Sequence, residues 1–248
     1  MDIMITSKQN SLIKEIRSLE SKKFRDKLNL YVVEGYKIVQ EAVDLNLPVR
    51  VIVGTEKGLN LVDVKGVKTE CVTDEVFSSI SAEKSPQGVL CVIEKPSNEL
   101  VTAKGNCLLL DGVADPANVG AIIRTAAASG FDTVYMTDCS ADPFSPKATR
   151  CSMSGVFRVK IVRANIDEIL SVIKAPVYVA DMGGENVFTH QRKGDVCLVI
   201  GNEGHGVSNE LKNRADYIVS IPMQNGVESL NASVSAGILM YALTKKLS

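Results

Sequence analysis

Beyond residue 106, short runs of apolar residues alternate with segments whose apolar residues recur at helical spacing. The apolar runs are CLLLD (107–111), TVYM (133–136), VKIV (159–162), VYVA (177–180), DVCLVIG (195–201) and YIVSIP (217–222). Continuously apolar strands separated by helices predict a parallel sheet that is covered on both faces. Ligands of such sheets bind beyond the carboxyl ends of the strands, so we expect the chemistry in the turns at those ends.

The chain before this region carries a second, smaller α/β pattern. Residues 30–54 predict strand, helix and strand, residues 72–80 a helical piece, and residues 88–93 another strand. Residues 94–106 are rich in Pro, Ser, Asn and Gly, and their apolar periodicity lapses. We therefore predict an α/β protein of two domains, residues 1–95 and 106–248, joined by a linker over residues 96–105.

Composition excludes several other classes of protein. The 248 residues are 45% hydrophobic and 23% charged, which is typical of a globular protein. No apolar run reaches about 18 residues and no secretory signal pattern begins the chain, so we expect a cytoplasmic protein without a membrane span. The cysteines lack C-x-x-C spacing and histidines are scarce, so we expect buried thiols and no metal site. These residues are Cys71, Cys91, Cys107, Cys139, Cys151 and Cys197, with His190 and His205.

The net charge of −1 gives no global reason to expect a nucleic-acid partner, but residues 8–27 form a basic segment. This segment holds seven basic residues and three acidic ones. Ile13, Ile16 and Leu19 recur at helical spacing, which predicts an amphipathic helix with a basic outer face. From charge alone, a solvated face with i,i+4 ion pairs explains the segment as well as a binding surface does.

The first turn with chemical character is DGVADPANVGAIIRTAAASG, residues 111–130. A strand ends at Asp111, and we expect a helix of small residues to begin near Asn118. Asn118 is also explained as a plain N-cap. Arg124 lies between Ile123 and an alanine-rich run, where a structural arginine would need a partner to offset its desolvation. A guanidinium beside free amide groups indicates binding of phosphate or carboxylate.

The second and third turns are LVIGNEGHGVS (198–208) and IPMQNGVESLNASVSAGILMYAL (221–243). The glycines at 201, 204 and 206 let the backbone approach a ligand closely. The pattern is neither G-x-G-x-x-G nor Walker A, so an ordinary dinucleotide fold is disfavoured. Glu203 is the one acid of its loop and is also explained as a turn carboxylate, while Ser229 is also explained as a helix cap.

Together, NxGAIIRTA, LVIGNEGHGVS and IPMxxxxxSLNASVSAGILMYAL closely resemble the three motifs of the SpoU (TrmH-like) family of RNA ribose methyltransferases. The resemblance covers essentially the whole chain, because QNSLIKEIRSLxxKKxRDKLNLYVVEGYKIVQEA is similar to the small RNA-binding domain of many members, a domain like certain ribosomal proteins. This match favours an RNA-binding role for the basic segment. The RNA-binding residues it implies are Lys14, Arg17, Lys22, Lys23 and Arg25.

The resemblance implies a deep trefoil knot in the C-terminal sheet, an exception to the rule that chains are unknotted. It also implies that S-adenosylmethionine binds in the knot, largely through backbone groups, and that the protein is a homodimer. The implied cofactor contacts are Gly201, Asn202, Ile221, Met223 and Leu230. The implied catalytic positions are Asn118, Arg124, Glu203, Ser229 and Asn231. Two departures from the family pattern are Ala232, where valine is frequent, and a loose small-residue segment over residues 151–157.

The implied reaction is in-line attack of a ribose 2′-hydroxyl on the sulfonium methyl group. A guanidinium resists deprotonation, so we expect Arg124 to grip a phosphate and polarise the hydroxyl rather than act as a base. Asn118 and Asn231 would orient Arg124 and the ribose, Ser229 would hold polar atoms of cofactor or substrate, and Glu203 would fix the loop. Two alternatives stay open: a knotted enzyme that methylates a base, and a non-catalytic RNA-binding relative.

Overall fold

The computed structural model describes residues 4–192 and 194–244. Within them the chain divides into two compact units. One unit is the chain up to Pro96 together with Phe144–Ser154, and the other is Ser97–Pro143 together with the chain from Gly155. The segment Phe144–Ser154, which the sequence analysis placed in the C-terminal domain, thus belongs to the N-terminal unit.

The N-terminal unit is a four-stranded mixed sheet with helices packed on it. Its strand order is β1-β4-β2-β3, with β4 antiparallel to β1 and β2, and β2 parallel to β3. The elements are α1 (Ser11–Ser18), α2 (Lys22–Leu28), β1 (Leu30–Glu34), α3 (Tyr36–Asp44), β2 (Val49–Gly54), α4 (Glu56–Leu59), β3 (Thr69–Cys71), α5 (Asp74–Ser78) and β4 (Val89–Glu94). The strands and helices predicted over residues 30–93 are confirmed, and β3 and α4 are additional.

The basic segment forms two helices, so the prediction of a single helix over residues 8–27 is wrong. The first helix stops at Ser18, and the side chain of Arg25 from the second helix folds back over the break. Its Nη1 donates to the carbonyl oxygens of Leu19 and Glu20, at 2.7 Å each. These carbonyls follow the last helical residue and have no intrahelical donor, which is why a side chain can take that place.

The apolar face of this segment is buried, as the helical spacing of its apolar residues predicts. Ile13, Ile16 and Leu19 are all at most 2% exposed and pack in a core with Val53, Phe77 and other residues of the sheet and α5. Burial of these side chains, each contributing about 1.5–3 kcal/mol relative to exposure, docks α1 against the sheet. Lys14 of α1 is therefore exposed on the outer face of a fixed helix.

The C-terminal unit is built on a six-stranded sheet in which every described pairing is parallel. Its strand order is β10-β8-β9-β5-β6-β7, and all six predicted strands are confirmed. The elements from residue 106 onward are β5 (Asn106–Asp111), α6 (Pro116–Ser129), β6 (Phe131–Met136), α7 (Pro146–Ser152, in the N-terminal unit), a 3-10 helix (Met153–Phe157), β7 (Lys160–Arg163), α8 (Ile166–Val172), β8 (Val177–Asn186), β9 (Cys197–Gly201), α9 (Asn209–Lys212), β10 (Tyr217–Ser220) and α10 (Ala232–Leu243).

This strand order decides which turns are neighbours. β9 lies between β5 and β8, and Asp111 at the end of β5 pairs with Gly201 at the end of β9. The turns after β5 and β9 therefore start side by side at one edge of the sheet. The turn after β10 begins two strands away, but α10, which follows it, packs against α6 and β9. The sheet thus gathers the three motif turns at its carboxyl edge, and the trefoil knot stays a prediction of the resemblance.

Residues 97–105 are held against the C-terminal unit by hydrogen bonds. The hydroxyl of Tyr135 donates to the carbonyl oxygen of Val101 at 2.7 Å and accepts from the N–H of Ala103 at 3.0 Å. Burial raises the pKa of Tyr135 to about 12, so this hydroxyl stays protonated. The segment that we predicted as a linker thus has a fixed course, and the exact domain boundaries stay a prediction.

Within residues 4–192 and 194–244, no helix is long and apolar enough to cross a membrane. In the same part of the chain, no cluster of His, Cys, Asp and Glu side chains has the makings of a metal site. The described cysteines are free thiols, and Cys91, Cys107 and Cys197 are buried.

Candidate active site

The turn after β9 is closed on itself by a residue that must be glycine. A Cβ on Gly201 would lie 2.2 Å from the carbonyl carbon of Gly206 and 2.3 Å from the nitrogen of Val207. The N–H groups of Asn202 and Gly206 each donate to the other's carbonyl oxygen, at 3.0 and 2.9 Å. This close return of the backbone explains why position 201 is glycine.

Asn202 ties this turn to the turn after β5. Its Oδ1 accepts from the N–H groups of Gly204 and His205 at 2.9 and 3.1 Å, and its Nδ2 donates to the carbonyl oxygen of Gly112 at 2.8 Å. We predicted Asn202 from the resemblance as a cofactor contact. The described contacts give its side chain the task of holding the two turns together, and a cofactor contact stays a prediction.

A second link between these turns involves Asp111, which the sequence analysis did not select. Its Oδ2 accepts from the N–H of Ser208 at 2.8 Å, just beyond the glycine turn. The signal was an aspartate at the end of an apolar strand, directly before the first motif. This carboxylate ties the carboxyl end of β5 to the chain that follows the glycine turn.

Glu203 joins the glycine turn to the start of α6. Its carboxylate accepts from Asn118 Nδ2 at 2.8 Å and from the N–H groups of Ala114 and Asp115 at 3.1 and 3.4 Å. Desolvation alone would raise the pKa of Glu203, but the hydrogen bonds from Asn118 and from backbone N–H groups lower it below its usual value. Glu203 is therefore an anion that secures the loop before α6 rather than an isolated turn carboxylate.

Asn118 and Asn231 complete a chain of amides that joins all three motifs. Asn231 Nδ2 donates to Asn118 Oδ1 at 2.9 Å, and Asn231 Oδ1 accepts from the N–H groups of Ser233 and Val234. Asp115 is the N-cap of α6 and Asn231 is the N-cap of α10. The capping roles considered for Asn118 and Ser229 thus belong to other residues.

Arg124 differs from the other polar residues of the first motif. It lies on α6, its side chain is exposed, and among the described residues no hydrogen bond or ion pair to it is found. We expected Asn118 and Asn231 to orient Arg124 and the ribose. The amides of Asn118 and Asn231 bond to each other instead, and Arg124 is open to a ligand.

The segment from Ile221 to Leu230 offers free backbone groups. It has no regular structure, and it turns at Asn225 and Gly226, whose φ angles are 58° and 71°. Among residues 4–192 and 194–244, the N–H groups of Ile221, Met223 and Leu230 have no hydrogen-bond partner. The side chains of these three residues are half-buried and apolar. Free backbone N–H groups beside such side chains fit an adenosyl group that is bound through the backbone of the protein. The exposed hydroxyl of Ser229, in the same segment, also lacks a partner within the described chain.

The five residues predicted to bind RNA fall into two groups. Lys14, Lys22 and Lys23 are exposed, although Lys22 pairs with Asp26. Arg17 bonds to the hydroxyl and the carbonyl oxygen of Ser79. Arg25 is 3% exposed and bonds to the backbone, so we remove it from the predicted RNA surface because its guanidinium faces the interior.

Comparison with known proteins agrees with this geometry. Residues 105–241 match the model of the SpoU rRNA Methylase family, and residues 10–91 match that of an MRM3-like substrate binding domain. A 23S rRNA (guanosine(2553)-2′-O)-methyltransferase of Bacillus subtilis, RlmP, is 33% identical over 96% of this chain and 98% of its own.

Two solved structures extend the likeness to three dimensions. The AdoMet-bound rRNA methyltransferase of Sinorhizobium meliloti has a TM-score of 0.87 at 29% identity, over 97% of this chain and 96% of that one. The SpoU methyltransferase AviRb of Streptomyces viridochromogenes, in complex with AdoMet, has a TM-score of 0.84 at 25% identity, over 94% and 97%. The chain belongs to the SpoU rRNA methylase family, and it is an RNA ribose 2′-O-methyltransferase that uses S-adenosylmethionine.

Proposed function

We propose that this enzyme methylates a ribose 2′-hydroxyl of 23S ribosomal RNA. The relatives named as 23S rRNA methyltransferases include RlmP of Bacillus subtilis, RlmB of Haemophilus ducreyi and a uridine(2479) enzyme of Streptomyces viridochromogenes. Their names include both guanosine and uridine, so the proposal concerns the ribose and leaves the base free. Action on ribosomal RNA is consistent with a cytoplasmic enzyme.

The catalytic part of this proposal rests on the difference between the bonded polar residues and the exposed Arg124 at the carboxyl edge of the sheet. Asn118, Glu203 and Asn231 hold one another, while Arg124 is exposed and without a partner among the described residues. S-adenosylmethionine supplies a methyl group that is already activated as a sulfonium. The work left to the protein is alignment, which contributes on the order of 7–11 kcal/mol when reacting groups are held in place.

In this mechanism Arg124 binds the phosphate next to the target ribose and polarises its 2′-hydroxyl. A guanidinium matches a phosphate through two parallel hydrogen bonds and keeps its proton at neutral pH. The new oxygen–carbon bond would form as the carbon–sulfur bond breaks and S-adenosylhomocysteine leaves. The proton of the hydroxyl would pass to solvent water late, after the new bond has begun to form. The hydroxyl of Ser229 and the free N–H groups of Ile221, Met223 and Leu230 serve the cofactor or the ribose, with Gly201 forming the wall of that site.

Residues 1–95 bind the RNA in this proposal, and residues 106–248 carry out methyl transfer. Lys14 and Lys23 are exposed and have no ion-pair partner among the described residues, so their charge is available for phosphates. Phosphate contacts of this kind position an RNA without reading its sequence.

The enzyme acts as a homodimer in this proposal. Ala236, Leu239, Met240 and Leu243 of α10 are buried within the chain, whereas Val234 and Tyr241 are each 49% exposed. Val234 and Tyr241 are seven residues apart, so they lie on one side of the helix, with Ile238 between them. Sedimentation at micromolar concentration should give twice the mass of 26.7 kDa, and a species of that single mass would overturn the dimer.

The test of function uses RNA from cells that lack the gene. Purified enzyme with labelled S-adenosylmethionine should methylate 23S rRNA from these cells, and mapping of 2′-O-methyl groups should locate one nucleotide. A synthetic fragment with a 2′-deoxy nucleotide at that position should bind and accept no methyl group. Methylation of the deoxy fragment at that nucleotide would contradict ribose chemistry, and methylation of tRNA alone would contradict the choice of substrate.

A further inference from the structure

We propose that Gly155 is a positioning residue for Arg124, and this rests on the catalytic role proposed for Arg124. Because the Arg124 side chain has no partner among the described residues, the place of its guanidinium depends on where α6 holds its backbone. Gly155, in the 3-10 helix Met153–Phe157, lies directly against that backbone. The absence of a side chain at position 155 thus determines where the backbone of Arg124 lies, and with it the point from which the Arg124 side chain extends.

The distances show how close this contact is. A Cβ on Gly155 would lie 2.8 Å from Arg124 Cα, 3.2 Å from Arg124 N and 3.3 Å from the carbonyl oxygen of Ile123. All three atoms belong to the backbone of a helix, so none can rotate away as the end of a flexible side chain would. The φ angle of Gly155 is not among the positive values, so glycine is required here by space and not by backbone conformation.

Helix α6 is packed on its other sides as well, so it cannot yield freely. Ile122, Ile123 and Ala126 are fully buried. A Cβ on Gly237 of α10 would already lie in ordinary contact, 3.7 Å from Thr125 Cγ2. A methyl group at position 155 therefore displaces the Arg124 backbone by roughly half an ångström or forces the 3-10 helix outward. Displacement of a catalytic group by about 1 Å costs on the order of a hundredfold in rate, so a smaller shift has a measurable effect.

The experiment is a double-mutant cycle with Gly155→Ala and Arg124→Ala. Methyl transfer to the rRNA fragment is measured under saturating conditions, and S-adenosylmethionine affinity is measured by calorimetry. We expect Gly155→Ala to lower kcat about tenfold or more with cofactor affinity unchanged, and to have no further effect in the Arg124→Ala background. Gly105→Ala is the matched control, because among the described residues a Cβ there meets only Asp132 Oδ2, at 3.5 Å. It should leave kcat unchanged.

Several results would overturn the proposal. One is a folded Gly155→Ala protein with the kcat of the wild type, and another is an equal loss of rate in both backgrounds, which would mean that the effect does not pass through Arg124. If Gly155→Ala does not fold, Thr125→Ser is added to give α6 room, and recovery of full kcat in that protein would count against the role. A wild-type enzyme without activity on any RNA would instead contradict the proposed function, and full activity of Arg124→Ala would contradict the role of Arg124 on which this rests.

Discussion

Two residues of the same helix, Asn118 and Arg124, do opposite things. Asn118 is 7% exposed and its amide is engaged on both sides, by Glu203 and by Asn231. Arg124, less than two turns further along α6, is exposed and makes no described hydrogen bond. The site thus separates a rigid polar frame from a charged group that is kept available. Such pre-organisation spares the frame from rearranging during the reaction.

The same contrast recurs in the basic segment of the N-terminal unit. Arg25 is buried and donates to two backbone carbonyls, whereas Lys23, two residues earlier, is exposed and unpaired among the described residues. Both residues were predicted to bind RNA. Residue type and motif position therefore do not distinguish a charge that is bonded within the protein from one that is available to a ligand.

Loss of the free charge at the active site should have the largest effect. We expect Arg124→Ala to lower kcat for methyl transfer at least about a hundredfold, because a group that acts on the transition state is lost. Folding and S-adenosylmethionine affinity should stay near those of the wild type, since no described contact in the protein depends on the guanidinium. Calorimetry and thermal unfolding are the controls, and near-normal turnover would show that Arg124 is not the free catalytic charge described here.

Loss of the held charge at Arg25 should instead act on stability. Arg25→Ala removes the hydrogen bonds that this buried cation donates to Leu19 and Glu20 and leaves space in the core, so we expect the free energy of unfolding to fall by about 2–4 kcal/mol. The matched control Lys23→Ala should change it by less than about 0.5 kcal/mol. Urea unfolding measures both. Similar small effects from the two substitutions would remove the contrast between them.

Much of the fold could be predicted from the sequence, because apolar runs and helical spacing report burial directly. The runs 107–111 and 195–201 became the paired strands β5 and β9, and Ile13, Ile16 and Leu19 became core residues. The break between α1 and α2 could not be predicted, since it depends on a side chain that reaches back to carbonyls five and six residues away.

The sequence motifs indicated residues of the candidate site, but not the hydrogen bonds between them. The motifs identified Asn118, Glu203 and Asn231, yet no spacing rule shows that the two amides bond to each other rather than to Arg124. Asp111 and Gly155 were missed because their importance lies in contacts with residues far along the chain, at Ser208 and Arg124. Such contacts follow from strand order, which a single sequence leaves open.

The hydrogen-bond network of Asn118, Glu203 and Asn231 can be weakened without a change at Arg124. In Glu203→Gln one carboxylate oxygen is replaced by an NH2 group, which is a donor. This NH2 group then faces another donor, either the N–H of Ala114 or the Nδ2 of Asn118, where the wild type has an acceptor. We expect unfolding to become easier by about 1 kcal/mol, a small figure because the carboxylate is partly solvated. Chemical denaturation at pH 7 measures this. Equal stability of the two proteins would mean that the frame does not need an anion.

The pH dependence of this difference has a definite sign. The pKa of Glu203 is lowered by folding, so its contribution is complete above the ordinary carboxyl pKa and is lost as pH falls through the folded value. The stability gap between wild type and Glu203→Gln should therefore be constant from about pH 7 to pH 5 and should close as pH falls below the ordinary carboxyl pKa of about 4.3. A gap that widens at low pH would contradict the ionised frame.

The smallest effect should come from the free charges of the RNA surface. Lys14 and Lys23 are exposed, and no described ion pair would compete with a phosphate for them. Each phosphate contact contributes roughly 0.7–0.9 to the slope of log affinity against log salt, so Lys14→Ala with Lys23→Ala should reduce the slope by at most about 1.8. RNA affinity should fall only severalfold at moderate salt, with S-adenosylmethionine affinity unchanged. The control is the pair Lys65→Ala and Lys68→Ala, whose charges are matched by Asp44 and Glu70. An equal change of slope in both double variants would show that the basic segment is only a solvated helix face and not an RNA-binding surface.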